Sequence, residues 1–146
     1  LEITIAELQK LRESEDHIEF KEAKHNYPFA GGKHVDLKEG GGVIVALANE
    51  KGGRLVLGMV DHMPHAVVGS DFAEKEVGEL TDEIYERLGI RIEATELYED
   101  GKRVLVLSVP SRPVGRLLRF EGVPLMHIGE SLRAMSDAEI FRILSE

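Results

Sequence analysis

The alternation of apolar and polar positions divides this chain into short segments, and two apolar runs dominate its middle. Residues 43–48 and 55–60 are almost entirely apolar, and Asn-Glu-Lys-Gly-Gly-Arg separates them. The glycine pair together with Asn49 is typical of a helix C-cap, so the first run is predicted to be a buried helix. The second run is β-branched and apolar on both faces, which predicts a central strand that ends at Asp61.

Two further segments show a clear period. Residues 17–22 alternate, which predicts a strand with Ile18 and Phe20 facing inward and Glu19 on the opposite face. Apolar residues at helical spacing from position 72 onward predict an amphipathic helix with an acidic outer face, capped by Gly89.

Turn and capping signals complete the set of elements. Asp100-Gly101 is a strong hairpin signal, Glu121-Gly122 suggests a second hairpin, and capping boxes begin at Thr4 and Ser136. The segments predicted in this way are a helix from Thr4 to about Arg12, a short return strand at 66–69, strands at 90–99 and 102–109, a hairpin of 116–120 and 123–128, and a last helix after Ser136.

The order of these elements predicts an α+β fold. Strand-helix-strand-helix-strand-strand suggests a four-stranded mixed sheet with helices mainly on one face, accompanied by terminal helices and a C-terminal hairpin. We expect residues 1–146 to form a single domain, taken from a longer protein. With no cysteine in the chain, disulfides and thiolate metal sites are excluded, and we expect a cytoplasmic protein without a membrane partner.

The distribution of charge bears on whether this chain can bind a nucleic acid. The 27 acids against 18 lysines and arginines give a net charge of −9, which argues against a broadly basic, nucleic-acid-binding surface. The balance reverses locally, since residues 102–119 contain basic residues and no acid. Arg112, Arg116 and Arg119 are therefore candidates for contact with a nucleic-acid backbone, and Lys21 and Lys24 could join them from the first strand. The alternative is a solvated hairpin.

Carboxylates are the main candidates for chemistry. Glu13 or Glu15, then Glu19, then Asp61, stand in or next to two strands predicted to be neighbours. Clustered carboxylates bind hard cations such as Mg²⁺ or Mn²⁺, with Glu19 and Asp61 as the predicted ligands, and such ions assist phosphodiester cleavage. The alternative is that these acids only solvate a sheet edge and a turn. His62-x-x-His65 has metal-ligand spacing without an evident third ligand, so exposed loop histidines are the simpler interpretation.

Three blocks of the chain resemble the Schlafen/AlbA-like domain family. They are Ile18-Glu19-Phe20-Lys21-Glu22, residues 46–61 with their Asn-Glu-Lys-Gly-Gly centre, and Ile128-Gly129-Glu130-Ser131-Leu132-Arg133. The resemblance implies an α+β sheet with helices on one side, a nucleic-acid partner that Arg133 could also contact, and pairing with a second copy as a homodimer.

The resemblance also implies a possible site. In animal Schlafen proteins the domain cleaves tRNA and rRNA with three carboxylates, and Glu19 and Asp61 match the second and third of them. The position of the first acid holds Ser14, flanked by Glu13 and Glu15. The family often has an arginine where this chain has His127.

Two functions follow from these observations. The first is a nucleic-acid-binding domain whose carboxylates form a Mg²⁺- or Mn²⁺-dependent endoribonuclease acting on tRNA-like RNA. The second is a non-catalytic transcription-regulator module that binds DNA or a protein. ATP binding rests only on an older name of the family, because the glycine pair lacks the lysine and Ser/Thr of a phosphate loop.

Overall fold

The computed structural model describes residues 2–13, 15–27, 40–129 and 131–146, which form two sheets and four helices. The helices are α1 Ile5–Leu8, α2 Gly40–Asn49, α3 Val77–Leu88 and α4 Asp137–Leu144, and the strands are β1 Ile18–Lys21, β2 Gly53–Leu57, β3 Glu93–Glu99, β4 Lys102–Val109, β5 Arg119–Phe120, β6 Val123–Ile128 and β7 Ser131–Ala134. The predicted α+β class is confirmed.

The first sheet has the strand order β1-β2-β4-β3 and is mixed, as predicted. β1 and β2 are parallel, whereas β2 with β4 and β4 with β3 are antiparallel. Alternation along β2 and β4 sends the leucines to one face, where they pack with α2 and α3. Val56, Val104 and Val106 point to the other face, where they pack with residues of α1 and β1. Both faces of the central strands are therefore buried, as their continuous apolar sequence predicted.

The second sheet contains β5, β6 and β7 in antiparallel order. Phe120 and Leu125 from this sheet join the core that contains α2, and every residue of α2 is buried. The hairpin around Glu121-Gly122 is confirmed, with β5 shortened to two residues. β7 was not predicted, because its four residues carry no apolar alternation strong enough to mark a strand.

A Schellman motif ends α2. The N–H of Gly52 bonds the carbonyl of Leu47 at 2.7 Å, and that of Lys51 bonds Ala48 at 3.3 Å. Lys51 and Gly52 have φ values of +78° and +93°, so these two residues are left-handed, whereas Asn49 is the last helical residue. A side chain at Gly53 would place its Cβ 2.2 Å from the carbonyl oxygen of His17, so the second glycine lets the chain before β1 approach closely.

Several further predicted boundaries were wrong. The amphipathic helix expected from position 72 onward starts at Val77. α1 ends at Leu8 instead of Arg12, because the N–H groups of residues 10 and 11 bond three residues back, in tight turns. The return strand at 66–69 is reduced to one bridge between Met59 and Val67, since the N–H groups of the following two residues both bond the carbonyl of Gly58. β3 starts at Glu93, and the three residues before it lie outside the ladder.

Candidate acidic cleft and basic sheet face

A small cleft lies where the turn before β1, β1 itself, the end of α2 and β6 meet. Five of its lining residues are acids or histidines, of which two come from the turn before β1 and one each from β1, the position after α2, and β6. The lining residues are Glu13, His17, Ile18, Glu19, Leu47, Glu50, His127 and Gly129.

Glu13 enters the cleft from the turn and also protects the edge of the sheet. Because β1 is the edge strand, its outward N–H groups have no neighbouring strand to bond, and Oε2 of Glu13 accepts the N–H of Phe20 at 2.8 Å. Burial raises the pKa of Glu13 to about 7, and the negative charges of Glu19 and Asp61 add to this rise, whereas the hydrogen bond from Phe20 and the charge of Lys21 oppose it. The carboxyl is thus poised to exchange a proton near neutral pH.

Glu19 reaches the cleft because strand alternation turns it away from Ile18 and Phe20, as predicted. Its side chain is 14% exposed. One carboxylate oxygen lies 3.8 Å from Nζ of Lys21 and the other 3.9 Å from Nε2 of His127. Glu19 therefore lies between a lysine of its own strand and a histidine of the second sheet.

His127 and Glu50 form a pair across the cleft that the sequence did not reveal. Nδ1 of His127 lies 2.6 Å from Oε2 of Glu50. Burial lowers the pKa of His127, but the hydrogen bond and charge of Glu50, together with Glu19 and Glu13, outweigh it and raise the pKa. The positions are 77 residues apart, so no local spacing could have joined them.

Asp61 and Glu15 lie outside the cleft. The side chain of Asp61 is 64% exposed and contacts Nδ1 of His62 at 3.3 Å, although its charge still reaches Glu13. Glu15 is also exposed and lies 3.9 Å from Arg12. Of the two acids that flank Ser14, only Glu13 shares the cleft with Glu19.

The predicted metal ligands do not converge. Within the described ranges, no three His, Cys, Asp or Glu side chains are grouped in a way that could hold a metal ion. Carboxylate oxygens suit Mg²⁺ and Mn²⁺ chemically, yet those of Glu13 and Glu19 face donors of the protein, and Asp61 lies apart. As placed, the acids do not fit such an ion, and the Mg²⁺ or Mn²⁺ site at Glu19 and Asp61 stays a prediction.

The interpretation of His65 as an exposed loop residue was wrong. Its side chain is buried, and each ring nitrogen lies 2.8 Å from a backbone carbonyl oxygen, one of Val60 and one of Leu11. Both nitrogens are thus engaged within the protein, and neither is placed to bind a metal together with His62.

The side chain of Arg112 is largely buried and forms an ion pair within the protein. Its side chain is 7% exposed, and two of its nitrogens bond the two carboxylate oxygens of Glu146, each at 2.7 Å. The same bonds raise the pKa of Arg112 and lower that of Glu146 to about 2, helped by the N–H of Gly115. We therefore assign Arg112 to a clamp between the loop after β4 and the end of α4.

The other predicted basic contacts are distributed over the surface. Arg116 and Lys24 are exposed on loops, and Lys21 faces Glu19. Arg119 and Arg133 come together on one surface, because directly opposed residues of antiparallel strands share a face. Arg119 is opposite Pro124, and Arg133 is opposite Met126.

This surface, here called the outer face, lies on the side of the second sheet away from Leu125. Its six positions contain two exposed arginines and an Ile128 that is 58% exposed, and none of them holds an acid. They are Arg119, Pro124, Met126, Ile128, Ser131 and Arg133. In a chain of net charge −9, this face is suited to an anionic partner.

Comparisons with known proteins give a consistent result. Residues 14–136 match the family model described as Schlafen, AlbA_2. A comparison with curated proteins found no match. Nowhere in the described part of the chain is there a helix with the length and apolar character needed to cross a membrane.

Two solved structures share the fold. The DIP2311 protein from Corynebacterium diphtheriae matches with a TM-score of 0.60 at 18% identity, over 87% of this chain and 27% of that protein. The N-terminal domain of a protein from Nitrosomonas europaea, named as ATP-dependent DNA helicase RecG-related, matches with a TM-score of 0.58 at 20% identity, over 93% of this chain and 94% of that domain. This chain thus spans about a quarter of the first and nearly all of the second.

Proposed function

Because the chain belongs to the Schlafen AlbA_2 family, we propose that it is a nucleic-acid-binding domain. The name of the Nitrosomonas europaea neighbour, a DNA-helicase-related protein, is consistent with this proposal. The observation that carries it is the outer face of the second sheet, where two arginines lie on one surface without an acid among the six positions.

The outer face offers two kinds of contact. The guanidinium groups of Arg119 and Arg133 flank β6 and can each bond phosphate oxygens. Between them Met126 and Ile128 present apolar surface against which sugars and bases can lie. No aromatic side chain stands among the six positions, so we expect affinity to depend chiefly on phosphate contacts and therefore on salt.

The test is the salt dependence of binding. Fluorescence anisotropy with labelled single-stranded DNA and with tRNA would compare the wild type with the double variant Arg119→Ala/Arg133→Ala. For a single strand we expect the negative slope of log K against log salt to become shallower by about 1.4, since each lost phosphate contact removes about 0.7 from its magnitude.

The matched control removes the same charge elsewhere. Arg87→Ala/Arg142→Ala takes away two exposed arginines on α3 and α4 that pair with acids of their own helices. Its slope should remain that of the wild type. Equal losses in both double variants would mean that net charge, and no specific face, governs binding, and the proposal would fail.

A second candidate is a metal-dependent endoribonuclease at the cleft. Glu13 and Glu19 line the same cleft, and the charge of Asp61 raises the pKa of Glu13, so the three acids lie within electrostatic reach. Purified protein would be incubated with tRNA in Mn²⁺, in Mg²⁺ and in EDTA, beside Glu19→Gln, Asp61→Asn and the exposed control Glu15→Gln. Metal-dependent cleavage that only the first two variants lose would support this candidate.

Three further predictions concern a regulatory role without catalysis, the oligomeric state and the location of the protein. If tRNA stays intact in every condition while binding to the outer face is retained, a regulatory module that binds DNA is the better description. Homodimer formation and a cytoplasmic location also stay predictions, and sedimentation of the purified domain over a concentration range would decide the first.

A further inference from the structure

The last strand, β7, leaves one edge of the second sheet open. Residues of antiparallel strands alternate between hydrogen-bonded and non-hydrogen-bonded pairs. The N–H of Met135 bonds the carbonyl of Pro124 at 2.8 Å, so the residues two and four positions earlier in β7 also bond β6. Leu132 and Ala134, which alternate with them, therefore direct their N–H and carbonyl groups away from β6. Among the hydrogen bonds of the described residues, none involves these four outward groups.

The other edge strands of the described chain are unsuited to pairing with a second copy. They are β1, β3 and β5. In β1 the side chain of Glu13 already occupies the edge N–H of Phe20, and β5 has only two residues. β3 carries three glutamates, and charged side chains on an edge oppose pairing with an identical strand. β7 contains no acid, and three of its four residues are exposed.

Side-chain alternation limits how two β7 strands can pair. Directly opposed residues of antiparallel strands share a face, so an outer-face residue must oppose an outer-face residue of the other copy. Two symmetric registers then pair more than one residue of each strand, one centred on Leu132 and one on Arg133. The second register places the Cα atoms of two arginines about 4.5 Å apart, where like charges are destabilising. The first places Ser131 opposite Arg133 and is therefore favoured.

We propose that β7 pairs antiparallel with β7 of a second copy of this chain, with Leu132 opposite Leu132. The outer faces of the two copies then form one continuous surface of a six-stranded sheet. This surface carries four arginines and no acid, because each copy supplies Arg119 and Arg133. Binding of a nucleic acid to the joined surface rests on the proposed function above, whereas the pairing of the strands does not.

The size of this contact determines when it forms. We expect two four-residue strands to bury less than the roughly 1,000 Å² that a stable interface needs, so pairing is transient in the free protein. A nucleic acid that lies across both outer faces holds the two copies at a high local concentration and thereby stabilises the pairing. Binding to a strand long enough for two copies should therefore be cooperative.

The first test traps the pairing covalently. The chain has no cysteine, so single cysteines can be introduced without competing thiols. In the proposed register the Cα atoms of Ser131 and of Arg133 in the other copy lie about 4.5 Å apart, within the range of about 4.4–6.8 Å that a disulfide spans. Ser131→Cys would be mixed with Arg133→Cys under glutathione disulfide, and the mixed dimer followed by non-reducing electrophoresis.

The matched control is Ser131→Cys mixed with Arg119→Cys. Arg119 is also an exposed arginine of the outer face, but it lies in β5 at the opposite edge of the sheet. We expect the first mixture to form its disulfide about tenfold faster or more, because pairing raises the local concentration of the two thiols. Equal rates in the two mixtures would overturn the proposal. This result does not depend on nucleic acid, so rapid cross-linking together with a failed salt-slope test would leave the pairing intact and remove only the proposed function.

The second test changes the edge and measures cooperativity. Ala134→Pro removes an outward N–H and keeps the hydrogen bonds between β7 and β6, a position where an edge strand tolerates proline. On labelled single-stranded DNA long enough for two copies, we expect a Hill coefficient approaching about 2 for the wild type and of about 1 for Ala134→Pro. Affinity for a short strand that covers one outer face should be equal in both proteins. A wild-type Hill coefficient of about 1, or one that a folded Ala134→Pro protein leaves unchanged, would refute the joined surface.

Discussion

At the scale of single residues, the acids differ through their surroundings more than through their spacing. Glu13 and Glu15 were equivalent candidates by sequence for the first acid, but only Glu13 is drawn inward, because the edge N–H of Phe20 needs an acceptor. The same burial that satisfies this N–H raises the pKa of the carboxyl to about 7. The burial that accompanies a structural role thus raises the pKa of Glu13, although the hydrogen bond itself opposes the rise, so an unusual pKa here does not by itself indicate catalysis.

The ionisation of Glu13 should destabilise the fold. Its pKa rises from 4.5 to about 7, so the folded state holds the proton more tightly than the unfolded chain, and the cost of ionisation grows between these pH values and is complete above them. Glu13→Gln keeps an acceptor for Phe20 without the charge. We expect its Tm to exceed that of the wild type above pH 7 and to match it below about pH 4.5. Thermal unfolding by circular dichroism would measure this, with Glu15→Gln as control, and a pH-independent difference would contradict it.

At the scale of elements, the helix–strand unit α2–β2 was predictable and its partners were not. A long apolar run, a helix-terminating glycine pair and a β-branched run are local signals, so neighbouring residues in the sequence suffice to predict the unit. Asn49 ends the helix, as expected, and its side chain also joins α2 to the second sheet and to the residue before it. Its amide donates to the carbonyls of Leu118 and Leu125 and accepts the N–H of Leu118, contacts 69 and 76 residues away in the chain. Such contacts between distant residues, like that of Glu50 with His127, produce no periodic pattern in the sequence from which they could be predicted.

Asn49→Ala should weaken the contact between α2 and the second sheet and thereby lower the stability of the protein. The change leaves both backbone groups of Leu118, just before β5, and the carbonyl of Leu125 in β6 without their partner in a buried or partly buried region, and each unsatisfied group costs about 1–3 kcal/mol. We expect the free energy of unfolding to fall by about 3 kcal/mol or more. Urea denaturation would measure the loss beside Asn26→Ala, an exposed position that should change stability by less than about 0.5 kcal/mol. Similar values for both variants would mean that other contacts hold the second sheet.

At the scale of the whole molecule, α4 and the loop after β4 are joined by one ion pair that the sequence did not indicate. Arg112 was assigned to nucleic acid because it belongs to a basic stretch, yet it bonds Glu146 through both nitrogens while its own N–H bonds the carbonyl of Ala48. The end of α4 is thereby connected, through the loop, to the end of α2. The basic stretch thus supplies both this internal clamp and, at its end, the exposed Arg119 of the outer face.

The clamp should weaken in acid. Hydrogen bonds from Arg112 and from the N–H of Gly115 lower the pKa of Glu146 from 4.5 to about 2, so the folded state binds this proton less readily than the unfolded chain. Its stabilising contribution is therefore complete above pH 4.5 and is lost as the pH falls toward 2. Glu146→Gln should lower Tm at neutral pH by an amount that shrinks through this range, whereas Glu139→Gln removes only an exposed contact within α4 and should have little effect at any pH. A deficit of Glu146→Gln that persists unchanged at pH 2 would show that the loss comes from packing, and that the charge of the clamp does not hold α4 to the loop.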